Sequence, residues 1–181
     1  LQNNLYMEEN TMRTGIITFA GNPLTLRGEA IEVGQQAPNF TAVKQDLSQF
    51  DFYNDTKDKV KVISVAPSID TGVCSLQTIR FNEEAGKLKD HVQIVTVTVD
   101  LPFAQKRYCA AEGIENIDVV SDHKDLDFGD KYGFTIDELR LLTRGIIVVD
   151  KDNKVQHVEY VGEVTEHPDY DKALEVIGKL V

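Results

Sequence analysis

Cysteine is scarce: the 181-residue chain holds two, Cys74 and Cys109, and no C-x-x-C pair. A chain this long buries a core unaided, so two cysteines do not make a disulfide-stapled scaffold, and their chemistry becomes the question. The missing C-x-x-C argues against a thioredoxin-like disulfide reductase. It argues equally against a structural zinc site, which takes four ligands in local pairs, because His91, His123, His157 and His167 are scattered. Basic residues are also few. Lys and Arg number 19 against 30 Asp and Glu, a formal charge of −11, and such a surface repels phosphate backbones and anionic headgroups. Neither nucleic acid nor a membrane is an expected partner. The longest aliphatic run, Ile146 to Val149, falls far short of the roughly 20 residues that cross a bilayer. No Gly-rich phosphate loop, repeat, linker or low-complexity stretch interrupts the chain. Leu1 to Arg13 is polar and lacks the basic and apolar regions of a secretory leader, which predicts a cytoplasmic location. Residues 1–11 read as an appended or flexible extension, and 12–181 as one domain.

What is present is an alternation of patterns. Apolar runs at 16–19 and 24–26, parted by Gly21, Asn22 and Pro23, predict a β-hairpin. Beyond it, β-branched runs at 60–65, 92–99, 117–120, 146–149 and 155–161 alternate with amphipathic segments. The first segment starts near Thr71 or Cys74 and carries Phe81, Ala85 and Leu88 on one face. The second runs from Pro102 through Cys109 to Gly113, and the third from Pro168, with Tyr170, Ala173, Leu174, Ile177 and Val181 on one stripe. Such alternation predicts an α/β layer fold with a central sheet.

The segment Val65-Ala66-Pro67-Ser68-Ile69-Asp70-Thr71-Gly72-Val73-Cys74 carries a strand through a turn-rich loop and delivers a cysteine near a helix start. Unpaired N–H groups and the positive end of the helix dipole favour an anion there, so the placement favours a thiolate. Thr71, three residues earlier, is near enough for its hydroxyl to donate to sulfur or to an incoming oxygen, and Pro67 walls the pocket without an N–H. From the residues alone, the same facts also describe a small buried cysteine behind an ordinary helix cap, or the nucleophile of a Cys-His hydrolase. Arg144, ahead of the apolar run at Ile146, equally describes a surface arginine at the start of a strand. Arg80, six residues after Cys74, would add positive potential there, but equally describes a solvated helix face.

Pro67, Thr71 and Cys74 fit the PxxxTxxC signature of peroxiredoxins, and PSIDTGVC followed by QTIRFNEEA resembles that family's thiol peroxidase branch. A second block, Asp100-Leu101-Pro102-Phe103-Ala104-Gln105 through Arg107, Cys109, Gly113 and Asn116, resembles the segment holding the branch's resolving cysteine. The resemblance spans roughly residues 12–181. It implies a thioredoxin-like α/β fold, with a central mixed sheet flanked by helices and an N-terminal hairpin. It further implies a thiol-specific peroxidase for hydrogen peroxide and organic hydroperoxides. Cys74 is then the peroxidatic cysteine, oxidised to a sulfenic acid, and Cys109 resolves it as an intrachain disulfide. Arg144 corresponds to the arginine that a distant strand brings to the peroxidatic site, beside Thr71 and Pro67. Sulfur is the only redox group implied, with no metal or organic cofactor, thioredoxin as reductant, and a homodimer whose interface adjoins the site. Ser75 departs from the common pattern, in which an acidic residue follows the peroxidatic cysteine; its absence favours the thiolate. The alternative is a non-enzymatic redox sensor using the same disulfide, which turnover distinguishes.

Overall fold

The computed structural model describes residues 11–88 and 90–181. The extension read over 1–11 therefore lies outside the described residues, except for Thr11, whose carbonyl accepts from the Gly28 N–H at 2.7 Å. Strands β1 (Met12–Phe19) and β2 (Asn22–Arg27) form the predicted hairpin. Asn22 and Pro23 are not in its turn, as expected from their type, but pair with Phe19 and Thr18 inside the ladder. The turn is Ala20 and Gly21, at φ 50° and 82°, a left-handed pair whose twist matches that of the flanking strands.

The chain continues through β3 (Thr41–Val43), β4 (Gln49–Asp51), α1 (Phe52–Asp55), β5 (Val60–Val65), α2 (Gly72–Leu88), β6 (Val92–Thr98), α3 (Pro102–Glu112) and β7 (Asp118–Ser121). It ends with α4 (Asp127–Tyr132), β8 (Thr135–Ile136), β9 (Leu141–Leu142), β10 (Gly145–Val149), β11 (Val155–Tyr160) and α5 (Tyr170–Leu180). Seven strands form one mixed sheet in the order β11-β10-β5-β6-β7-β3-β4, with β5, β6 and β7 parallel. The hairpin joins β8 and β9 in a separate four-stranded sheet. Helix α5 starts at Tyr170, after an Asp169 carboxylate that accepts from the Lys172 N–H at 3.1 Å, rather than at Pro168. Val181 is exposed and does not belong to its apolar stripe.

Period-two alternation builds both layers. Val60 and Val62 of β5 pack with Phe81 and Ala85 of α2 and with Ala173 and Ile177 of α5. Ile63 and Val65 point the other way, into an aromatic layer of Phe40, Phe50, Phe52, Phe128, Tyr132 and Phe134. Ile146 and Val148, then Ile147 and Val149, divide in the same way along β10. A strand covered on both faces reads as an unbroken apolar run, and each such side chain contributes on the order of 2 kcal/mol of burial. Among the described residues no helix is long and apolar enough to cross a membrane.

Two features of β10 fix what lies at the end of β5. The strands pair antiparallel with Val65 opposite Gly145, so residues just after β5 and just before β10 meet at the same end of the sheet. Gly145 is also the residue that the packing demands: an added Cβ would lie 2.1 Å from the Glu159 carbonyl oxygen and 2.6 Å from the Phe134 ring.

Candidate active site

Cys74 lies in the first turn of α2, fully buried and unbridged. The register of β5 and β10 brings Arg144 against it. The guanidinium Nη2 donates to Cys74 Sγ at 3.1 Å, Nη1 to Gln77 Oε1 at 2.8 Å, and Nε to the Val164 carbonyl at 2.8 Å. Arg144 is 2% exposed, so it is no surface arginine. An interior guanidinium is tolerated when its donors find partners, and each of its nitrogens finds one. The contact with Cys74 is a charge-assisted hydrogen bond.

Gln77, one helical turn beyond Cys74, orients the arginine. Its Nε2 donates to Ser64 Oγ at 2.7 Å and to the Val65 carbonyl at 3.2 Å, leaving its own oxygen for Arg144. Asp100, just past β6, holds the loop before α2: its carboxylate accepts from Ser68 Oγ at 2.7 Å, the Ile69 N–H at 2.8 Å and Thr98 Oγ1 at 2.7 Å. Neither residue was singled out from the sequence. Gln77 carried a signal, a polar residue on the buried face of an amphipathic helix; Asp100 carried only its place at the head of the second motif.

Thr71 acts as a cap in this arrangement. Its hydroxyl accepts from the Cys74 N–H and donates to the Ser68 carbonyl, both at 3.4 Å, instead of donating to sulfur. Pro67 lines an apolar cavity with Phe19, Val73, Val164, Thr71 and Arg144. Arg80 is turned away, toward Glu84 at 3.5 Å and over the Tyr170 ring at 5.6 Å.

Cys109 sits near the end of α3, buried with Ile114 and Val119 and flanked by Ile79 of α2. Burial pushes its thiol above the ordinary value, and a hydrogen bond from Gln45 opposes that rise. The two cysteine segments are tied together beside the sulfurs: Ser75 Oγ lies 2.8 Å from Tyr108 Oη, and the Tyr108 hydroxyl also donates to the Ser75 carbonyl at 3.2 Å.

Glu163 clasps the N-terminal hairpin onto this region. Its carboxylate accepts from the Gly21 N–H at 2.7 Å, Thr18 Oγ1 at 2.9 Å, and the Thr165 N–H and hydroxyl at 2.9 and 2.7 Å. These bonds pull its pKa down from 4.5 to about 2. A depressed folded-state value means that the clasp stabilises fully above about 4.5 and is lost as pH falls through about 2. Thermal unfolding of Glu163→Gln is therefore expected to occur below that of the parent at neutral pH, the two midpoints converging across that acid window. A gap that persists unchanged in acid would count against the clasp.

The Redoxin family model matches residues 32–174. The chain is 57% identical over 159 residues to a thiol peroxidase of Halalkalibacterium halodurans, covering 88% of this chain and 95% of that protein. It is 52% identical over 165 residues to a thiol peroxidase of Bacillus subtilis, covering 91% and 98%. Among solved structures, a peroxiredoxin-like protein from Aquifex aeolicus superposes with a TM-score of 0.85 at 38% identity, over 93% of this chain and 98% of that one. A thiol peroxidase from Chromobacterium violaceum shares the fold, with a TM-score of 0.81 at 22% identity over 90% and 95% of the two chains. With a Redoxin match across most of its length and relatives of this identity, the chain belongs to the redoxin family and, within it, to the thiol peroxidases.

Proposed function

We propose that Cys74 is the peroxidatic cysteine of this enzyme and that Arg144 is its catalytic partner; the observation that carries the reading is the buried 3.1 Å contact between Nη2 and Sγ. The thiolate attacks the terminal oxygen of a hydroperoxide, the S–O bond forming as the O–O bond breaks. The departing oxygen takes up a proton and leaves as water or alcohol, and Cys74 becomes a sulfenic acid. Arg144 is placed to donate to oxygen as charge moves across the breaking bond. The cavity that shares Arg144 with Pro67, Thr71, Phe19 and Val164 suits hydrogen peroxide and hydroperoxides with apolar tails.

Cys109 then attacks the sulfenic sulfur, forming an intrachain disulfide and releasing water. Both cysteines are buried, and the contact between Ser75 and Tyr108 ties their two segments together. A thioredoxin-type dithiol reduces the disulfide by exchange, in keeping with a cytoplasmic location, where reductant is plentiful. Exposed Leu76, Leu101 and Phe103 support a homodimer interface beside the site.

The test is a thiol titration before and after one equivalent of hydrogen peroxide, on the parent, Cys74→Ser and Cys109→Ser, with non-reducing gels. Loss of both thiols in a monomer-sized band, abolished in Cys74→Ser, is the expected result. Sustained peroxide consumption with thioredoxin then separates an enzyme from a sensor that oxidises once. Survival of both thiols would overturn the assignment of Cys74, and a cross-linked band would remove Cys109 as an intrachain resolver.

A further inference from the structure

We propose that Gln45 is a positioning residue for resolution: fixed by the turn between β3 and β4, its side-chain amide holds Cys109 Sγ through a hydrogen bond that strengthens as the sulfur takes up negative charge. The proposal rests on the reading of Cys109 as the resolving cysteine.

Gln45 Nε2 donates to Cys109 Sγ at 3.4 Å, and among the described residues no other donor reaches that sulfur. The turn that presents it is itself well bonded. The Lys44 N–H donates to the Ser48 carbonyl at 2.8 Å, the Leu47 N–H to the Lys44 carbonyl at 2.9 Å, and the Asp46 carboxylate accepts from the Ser48 N–H and hydroxyl at 3.0 and 2.5 Å. Val43 of β3 pairs with Ser121 of β7, and Val119 of β7 packs on Cys109. The hairpin therefore reaches Cys109 across the strand on which that cysteine rests.

The surroundings leave the amide as the polar influence on this sulfur. Helix α2 faces it with Ile79. On α3 the neighbouring ionisable groups are the exposed Lys106 and Arg107, Tyr108, whose hydroxyl is engaged with Ser75, and Glu112. Asp118 lies at the start of β7, Asp46 is occupied by Ser48, and Lys44 is paired with Asp55 at 3.7 Å. Burial disfavours the Cys109 thiolate and the Gln45 bond offsets part of that cost. An N–H donor gains little from a neutral thiol and considerably more from an anion.

In the step concerned, the Cys109 thiolate attacks the sulfenic sulfur of Cys74. The S–S bond forms, the S–O bond breaks, and the leaving hydroxide takes up a proton to become water. The competing fate of the sulfenic acid is a second hydroperoxide, which transfers oxygen to sulfur, gives a sulfinic acid and departs as water or alcohol. Slower resolution must therefore appear as more sulfinic acid at high peroxide.

The experiment is rapid-quench mass spectrometry of the parent, Gln45→Leu and Gln45→Glu after a hydrogen peroxide pulse, across a range of pH. Alkylation of Cys109 in a Cys74→Ser background is measured over the same range. With the donor removed, disulfide formation is expected to be about tenfold slower near neutral pH. The deficit should shrink as pH rises, the alkylation profile of Cys109 should move to higher pH, and sulfinic acid should accumulate. Gln45→Glu, which sets an acceptor against the sulfur, should be at least as slow. An unchanged rate, or a deficit equal at every pH with an unmoved alkylation profile, would overturn the proposal. Failure of the parent to form the disulfide at all would instead remove the assignment of Cys109. Circular dichroism and the rate of sulfenic acid formation at Cys74 distinguish a local effect from a misfolded variant.

Discussion

Arg144→Met is expected to slow the reaction of Cys74 with hydrogen peroxide by about 10³-fold, the scale seen when one preorganised donor is taken from a developing oxyanion. The substitution keeps an unbranched side chain in the same space but removes the contact with Cys74 Sγ and leaves Gln77 Oε1 and the Val164 carbonyl without donors. Each orphaned acceptor costs about 1–3 kcal/mol, offset in part because an apolar residue avoids burying a charge. A stability loss of a few kcal/mol should therefore accompany the rate loss, which itself amounts to about 4 kcal/mol. Arg144→Lys is expected to fall between the two. A lysine supplies a point charge but cannot serve sulfur, amide and carbonyl at once in the planar fork that guanidinium provides. Stopped-flow measurement of the single-turnover reaction checks both variants. A rate near that of the parent in Arg144→Met would remove the arginine from the chemistry.

Gly145→Ala is expected to destabilise the protein by about 3 kcal/mol, at the upper end of ordinary overpacking, and to slow the same reaction. The added methyl would sit 2.1 Å from a backbone oxygen of β11 and 2.6 Å from the Phe134 ring. Neither neighbour is a flexible chain end, so β10 itself must shift. Because Gly145 directly follows Arg144 and pairs with Val65, that displacement reaches the guanidinium. Gly162→Ala is the control, since its added Cβ meets nothing within 4 Å. Urea midpoints and single-turnover rates of the two variants decide the matter: equal behaviour would show that the close approach at β10 is readily relieved.

The parts of the fold legible in the sequence are those with a local pattern. Strands β5 and β10, covered on both faces, show as β-branched runs, continuous over Ile146–Val149 in β10 and interrupted by Lys61 and Ser64 in β5, and α3 is bracketed by Pro102 and Gly113. The aromatic layer is not legible, because Phe50, Phe52, Phe128 and Tyr132 come from elements too short to display a period and Phe40 and Phe134 from the loops between elements. Strands β8 and β9 are two residues each, defined by their partners and not by their own composition. At the site, the position of Cys74 at a helix start could be read from the loop before it. The meeting with Arg144 could not, since residues alone fit a surface arginine equally well and only the family resemblance favoured the site. Gln45, Asp100 and Glu163 act through hydrogen bonds between segments far apart in the chain, which no local spacing reveals. Asn22 and Pro23 misled because their turn preference is weaker than the demand for left-handed backbone at Ala20 and Gly21.

The distance along the chain between Cys74 and its arginine has a further consequence, for the protein during its synthesis. The two are 70 residues apart, and at about 5–20 residues per second the ribosome takes about 4–14 s to go from one to the other. Throughout that interval Cys74 has neither a guanidinium against it nor the Val164 segment closing its cavity. The nascent chain thus carries a thiol without this contact, and on the roles proposed for Cys74 and Arg144 its full reactivity toward peroxide is expected only once β10 pairs with β5. On the same proposed roles, a chain that opens between these two strands is expected to lose its reactivity together with its structure.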